Sequence, residues 1–303
     1  MVTTLTEVAI IGGGPAGLTA ALYLGRAQVD TVVIDKDMCG GQIISSPLLE
    51  NVPGYYGSGA ELAINILNEV EKYPSVRIEN FTDVTEVQVR YDEDMNESYE
   101  IMLGDNAKII AQYVICATGS NPIQLKGIEG PNVHYCVTCD GALYQDKTVA
   151  VVGGGNSALQ YALELTKYAN KIYIVTNEND LRGEEVMQER VRSHSKIEVR
   201  TNFPVVDLDG GYIYSDDGEA LAVDGVFVAV GYKTNTDYFE LLQGKDNKRR
   251  FKTDQWCRIW NGDFHFNQAF AIGDCRSKLF NQVVIAMGEG CTAALLIISD
   301  LEK

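Results

Sequence analysis

The chain has 303 residues, with 25 Lys and Arg against 42 Asp and Glu, so its formal charge is −17 and its sequence pI is near 4.6. That balance excludes binding to nucleic acid or to an anionic membrane surface through overall charge. A composition of 46% hydrophobic and 22% charged residues is that of a globular protein with one large or two ordinary domains, and it excludes bulk disorder.

Met1 to Thr6 carries neither the basic cluster nor the apolar run of a signal peptide. The longest apolar runs, around residues 225–231 and 292–298, fall short of the ~20 residues that span a bilayer, so a cytoplasmic location is expected. The first pattern is Val8-Ala-Ile-Ile-Gly-Gly-Gly-Pro-Ala-Gly17, which returns as Val149-Ala-Val-Val-Gly-Gly-Gly-Asn-Ser-Ala158. Each copy predicts a buried strand and a glycine turn, then a helix (Leu18 to Arg26, Leu159 to Tyr168) and a second strand (Thr31 to Asp35, Lys171 to Val175). Between the copies, Val84 to Arg90, Tyr99 to Leu103 and Lys108 to Ala117 read as strands, with the acidic stretch Tyr91 to Ser98 as a hairpin tip. A second strand-rich patch runs from Val205 to Val230, and the last helix from Val283 to Glu302. The predicted fold is α/β, with two Rossmann-like three-layer domains, the second (119–243) inserted into the first (1–118 with 244–303).

At the first turn, Gly12 allows the bend, Gly14 lets the backbone approach a pyrophosphate, and Gly17 lets helix and strand pack closely. The helix N-terminus favours the anion, and Asp35, about 20 residues on, is placed to accept hydrogen bonds from a ribose. Further along, Cys136 and Cys139 are three residues apart, within disulfide reach across a helical turn. At a helix N-terminus the dipole would make such a pair redox-active. Zinc is not expected, because His134 stands alone and no second cysteine pair supplies ligands; two buried structural cysteines is the other reading. Cys116 and Cys291 lie in apolar segments and read as small hydrophobes, whereas Cys39 and Cys275 leave a second redox pair conceivable. The scatter of the remaining cysteines suits a reducing compartment.

With Gly40-Gly41-Gln42, Glu50-Asn51-Val52-Pro53-Gly54, Ala117-Thr118-Gly119, Cys136-Val137-Thr138-Cys139-Asp140, Gly231-x-x-x-Asn235-Thr236, Gly273-Asp274 and Gln282-Val283 in order, the chain resembles the low-molecular-weight thioredoxin reductases over almost its whole length. The resemblance implies a homodimeric FAD enzyme. FAD would be held by Gly12, Gly14, Pro15, Ala16, Gly17, Asp35, Lys36, Gly41, Gln42, Asn51, Ala117, Thr118, Gly119, Gly273, Asp274, Gln282 and Val283. It also implies that Cys139 faces the flavin, Cys136 attacks a thioredoxin disulfide, and Asp140 serves as general acid and base.

The second nucleotide site departs from the family pattern. Where nicotinamide-dependent members carry His-Arg-Arg, this chain has Thr176-Asn177-Glu178, with only Arg182 remaining. A 2′-phosphate there would lose about 2–5 kcal/mol of charge-assisted bonding and meet a carboxylate. Asn281 stands where an arginine usually precedes the glutamine, and Asn156 replaces the usual acid in the turn. In these losses the chain is similar to the ferredoxin-dependent flavin thioredoxin reductases. The basic run Lys245, Lys248, Arg249, Arg250 and Lys252 is a candidate landing patch for an acidic ferredoxin, or a solvated loop. NADH reduction with Glu178 on the ribose, a dithiol oxidase and a redox sensor without turnover are the alternatives.

Overall fold

The computed structural model describes residues 3–46, 49–93, 96–104, 107–240 and 244–303. Its α-helices are α1 (Pro15–Arg26), α2 (Gly59–Val70), α3 (Val137–Asp140), α4 (Asn156–Leu165), α5 (Glu185–Ser193) and α6 (Val283–Leu301). The chain forms two compact units, an outer one of residues up to Asn121 with Thr234–Lys303, and an inner one of Pro122–Lys233.

In the outer unit, β1 (Thr3–Ile11) ends in Val8-Ala-Ile-Ile11, apolar on both faces, and so sits inside a sheet covered on both sides. It pairs in parallel with β2 (Thr31–Ile34) and with Lys108–Cys116. The sheet order is Arg258–Trp260, His265–Ala271, Lys108–Cys116, β1, β2, Val76–Glu79. One face is covered by α1, α2 and α6. The other is covered by residues of the hairpin Val84–Tyr91/Glu97–Leu103 together with Phe239, Phe251 and Phe266. Residues 94–95 of the expected hairpin tip lie outside the described residues.

Pro15 opens α1, where its missing N–H costs nothing. The α2 start is a capping box, with Glu61 N–H donating to Ser58 Oγ and Ser58 N–H donating to Glu61 Oε2, both at 3.2 Å. Helix α6 is long and apolar enough to cross a membrane by length and composition alone, a test that the core helix of a soluble protein also passes. It packs on α1 through Ala286, Gly290, Ala293, Ala294 and Ile297.

The inner unit has five parallel strands in the order Val133–His134, Gly225–Val228, Thr148–Val152, Lys171–Val175, Ile197–Arg200. Leu159, Ala162 and Leu165 of α4, with Val137 and Val191, cover one face. The antiparallel strands of residues 205–222 cover the other through Ile213 and Leu221, beside Phe203. This compact unit runs from Pro122 to Lys233. Residues 234–240 are tied to the outer unit: Thr234 and Thr236 donate to the carbonyls of Lys248 and Arg249, and Val87 N–H donates to Tyr238 O.

A Cβ added at Gly290 would lie 2.3 Å from the Ala16 carbonyl oxygen, a backbone atom that cannot swing aside. Gly290→Ala is expected to cost about 1–3 kcal/mol, read as a lowered urea midpoint of the apoprotein; an unchanged midpoint would show that α6 is not held this close to α1.

Candidate active site

The first glycine turn is built by exclusion. A Cβ at Gly12 (φ +107°) would fall 2.4 Å from Ala117 O, and one at Gly17 1.9 Å from Gly12 O. Gly14 is different: its added Cβ would meet only Gly41 Cα, at 3.8 Å. Gly14 also caps α1 with no side-chain hydrogen bond and no acid in the first turn, leaving N–H groups for an anion. Asp35 Oδ2 accepts from Gly13 N–H at 2.6 Å and Oδ1 from Asp37 N–H at 2.9 Å, so the carboxylate also holds the turn. Lys36 beside it is exposed, and Pro15 and Ala16 form the start of α1.

The same unit brings distant segments together. Asn51 Nδ2 donates to Gln282 Oε1 at 3.3 Å, a pair 231 residues apart, and Gln282 caps α6 immediately before Val283. Thr118 Oγ1 donates to Asn235 O at 2.6 Å, between Ala117 and Gly119. Gly41 follows at φ +65° and leads into Gln42. Gly273 N–H donates to Glu289 Oε2 at 2.7 Å, and the Lys278 ammonium lies 3.1 Å from Glu289 and 3.4 Å from Asp274. Burial pushes the Asp274 carboxyl above its ordinary range, with Lys278 pulling it back. Glu289 and Lys278 were not anticipated; a single acid between Val283 and Ser299 of a helix otherwise free of charge there is the signal that could have found Glu289.

In the inner unit Cys136 and Cys139 are joined as a disulfide, with Cα atoms 5.3 Å apart. Cys136 caps α3, and the Cys139 N–H donates to Cys136 Sγ at 3.2 Å. Asp140 is 8% exposed, and its Oδ1 is buried without a hydrogen-bond partner. Among the described residues no group of His, Cys, Asp and Glu could hold a metal ion.

The second glycine turn has the same backbone and a different electrostatic setting. Gly155 caps α4 with no atom within 4 Å of an added Cβ. Thr176 is buried and accepts from Glu178 N–H, while Arg182, the remaining arginine, is ion-paired to Glu178 at 3.4 Å. Glu184 N–H donates to Asn156 Oδ1 at 2.6 Å, and Arg182 N–H donates to Gly154 O at 2.7 Å.

The basic run needs correction as a continuous patch. Lys245 Nζ turns inward to the carbonyls of Thr236 and Phe239, and burial lowers its pKa. Arg250 pairs with Asp246 at 2.7 Å and reaches the Lys278 carbonyl. Lys248 and Arg249 are exposed, Arg249 paired with Asp237, and half-buried Lys252 lies over Trp260.

Residues 6–290 match the pyridine nucleotide-disulphide oxidoreductase family. The chain belongs to that family. It is 34% identical to a 34.2 kDa protein in the rubredoxin operon of Clostridium pasteurianum, over 96% of this chain and 95% of that one. It is 33% identical to a thioredoxin reductase of Listeria innocua, over 94% and 90%. The crystal structure of thioredoxin reductase from Streptococcus pyogenes superposes with a TM-score of 0.88 at 31% identity, covering 99% of both chains. The chain is therefore a flavoprotein disulfide oxidoreductase of the thioredoxin reductase type, with FAD as its cofactor. The open face of Gly14 and the uncapped start of α1 fit the FAD pyrophosphate.

The five other cysteines are unpaired thiols. Burial pushes Cys39 up to about 12, with Asp35 adding to the effect, and Cys257 and Cys275 up to about 11; Cys116 is raised further. Iodoacetamide at pH 8 is therefore expected to modify native oxidised protein at half-buried Cys291 and spare these four. The denatured protein should release five thiols before reduction and seven after; rapid labelling of Cys39 or Cys275 in the native state would revive a second redox pair.

Proposed function

We propose that the chain reduces thioredoxin or a thioredoxin-like disulfide through Cys136 and Cys139, with reduced ferredoxin rather than NADPH as electron donor. The observation carrying the choice of donor is the Glu178–Arg182 ion pair. A 2′-phosphate placed there meets a carboxylate and an arginine already engaged, and neither Thr176 nor Asn177 offers a charge. The Clostridium pasteurianum relative, named for its place in a rubredoxin operon, adds weight to a donor other than a nucleotide. Lys248 remains as an exposed cation for an acidic donor, beside an exposed Arg249 that is paired with Asp237. We also take the working form to be a homodimer.

Gly12, Gly14, Pro15, Ala16 and Gly17 would hold the FAD pyrophosphate, Asp35 and Lys36 the adenosine side. Gly41, Gln42, Asn51, Ala117, Thr118, Gly119, Gly273, Asp274, Gln282 and Val283 would surround the ribityl chain and ring. When bound, FAD supplies a carrier that takes electrons singly or in pairs. The protein's own part begins at Cys139, which receives the pair that opens the disulfide. The Cys139 N–H then faces a Cys136 thiolate, and a hydrogen bond to sulfur favours that charged form. Cys136 is the sulfur that attacks the partner disulfide, and Asp140, shielded from water, moves the accompanying proton.

Anaerobic mixing should bleach the flavin absorbance rapidly with reduced ferredoxin and slowly or not at all with NADPH. Rapid bleaching by NADPH would overturn the donor assignment; bleaching by NADH alone would place Glu178 on a ribose. Cys136→Ser should retain FAD and lose at least 100-fold in thioredoxin reduction. Lys248→Ala with Arg249→Ala should slow reduction by ferredoxin several-fold at low salt, the difference fading as salt screens it.

A further inference from the structure

His134, a lone histidine by sequence, is 9% exposed and stacked on Phe227 with ring centroids 5.2 Å apart. Its strand, Val133–His134, pairs with Gly225–Val228 so that His134 lies opposite Phe227, and the ring reaches Asp140 at the end of α3. Both ring nitrogens are engaged. Nδ1 lies 3.2 Å from Asp140 Oδ2, and Nε2 lies 2.6 Å from Tyr144 Oη. Asp140 Oδ2 is an acceptor, so it calls for a proton on Nδ1 and leaves Nε2 to accept from the Tyr144 phenol, which burial and then the charges of Asp140 and Asp224 push up to about 12. The proton of a neutral His134 therefore sits on Nδ1, facing the carboxylate. Lys147, 5.3 Å from the Tyr144 ring, and Asp224, which accepts from Thr148 N–H, are the charges beyond Tyr144.

We propose that His134 is the positioning residue of the acid–base Asp140: with its tautomer fixed by Tyr144, it holds Oδ2 and leaves Oδ1 to carry the proton of the dithiol exchange. The inference rests on the disulfide-reductase reading above. The Cys136 thiolate displaces one sulfur of the partner disulfide, forming a mixed disulfide and freeing one partner thiolate. Cys139 then loses its proton to Asp140 Oδ1 and displaces the second partner sulfur from Cys136, restoring Cys136–Cys139. Asp140 returns its proton to one departing thiolate and solvent protonates the other. Two electrons pass from the dithiol to the partner. Oδ1 suits the step because it is buried and holds no competing hydrogen bond.

The variants separate positioning from packing. His134→Phe keeps a ring on Phe227 and removes both nitrogens; His134→Asn keeps a donor toward Asp140. With dithionite-reduced holoenzyme and a small aromatic disulfide as acceptor, His134→Phe should lower kcat about tenfold at unchanged KM and move the acid limb of its pH profile about one unit upward. His134→Asn should recover most of the rate, with the limb near its original place. Equal loss in both variants, or a wild-type rate and profile in His134→Phe, overturns the inference. Wild-type protein that fails to turn over the disulfide would instead sink the reductase reading. In that event the nitrogen-15 spectrum of the protein decides the positioning claim, because the chain has only three histidines. A proton on Nδ1 of His134 supports it, and a proton on Nε2 overturns it.

Discussion

In both units the chain must pass from strand end to helix start through a gap that admits no side chain. The wall of that gap is a backbone carbonyl of the neighbouring parallel strand's continuation, Ala117 O in the outer unit and Ala229 O in the inner one, 2.4 and 2.6 Å from a Cβ added at Gly12 or Gly153. Once the turn is that tight, the helix that follows starts against the sheet, and its first N–H groups face outward with no side chain of their own to bind. Backbone close packing thus creates the anion-binding end as a by-product of folding. The inner unit keeps this geometry while carrying Thr176-Asn177-Glu178 after its second strand, so the tight turn and the side chains that would meet a bound group are set by different residues.

How much was readable from the sequence follows the range of the interaction. The glycine turns, their flanking strands and helices, and the dithiol on a helix start have signatures within a few residues and stand out in one dimension, although the wall of each turn, Ala117 O or Ala229 O, comes from far along the chain. The α2 capping box also has a local signature, Ser58-x-x-Glu61, but no glycine turn or apolar strand beside it marks the helix in one dimension. His134 was not legible at all. Its role comes from strand pairing that lays it on Phe227 and from α3 turning Asp140 back over it, and neither is encoded in the spacing of six residues between them. The basic run failed for a related reason. Clustering along the chain does not say which cations point inward, and Lys245 serves two carbonyls while Arg250 serves Asp246.

The net charge of −17 conceals a protein whose buried charges are mostly matched. Arg276 and Lys278 neutralise Glu289 beside Gly273, Arg250 neutralises Asp246, and Lys108 neutralises Glu100. Asp140 stands apart, because the group beside it is the imidazole of His134 rather than a lysine or arginine.

The bond between Asn51 and Gln282 has a temporal meaning. Every residue of the inner unit lies in one stretch, 122–233, so all its contacts exist once that stretch has left the ribosome. The outer sheet still lacks His265–Ala271, and α1 still lacks α6, until those later residues have been made. Its long-range pairings carry the loop-closure cost of bridging the whole inner unit. During synthesis the dithiol unit is therefore complete while the outer unit is still an open sheet with an uncovered helical face, which α6 closes.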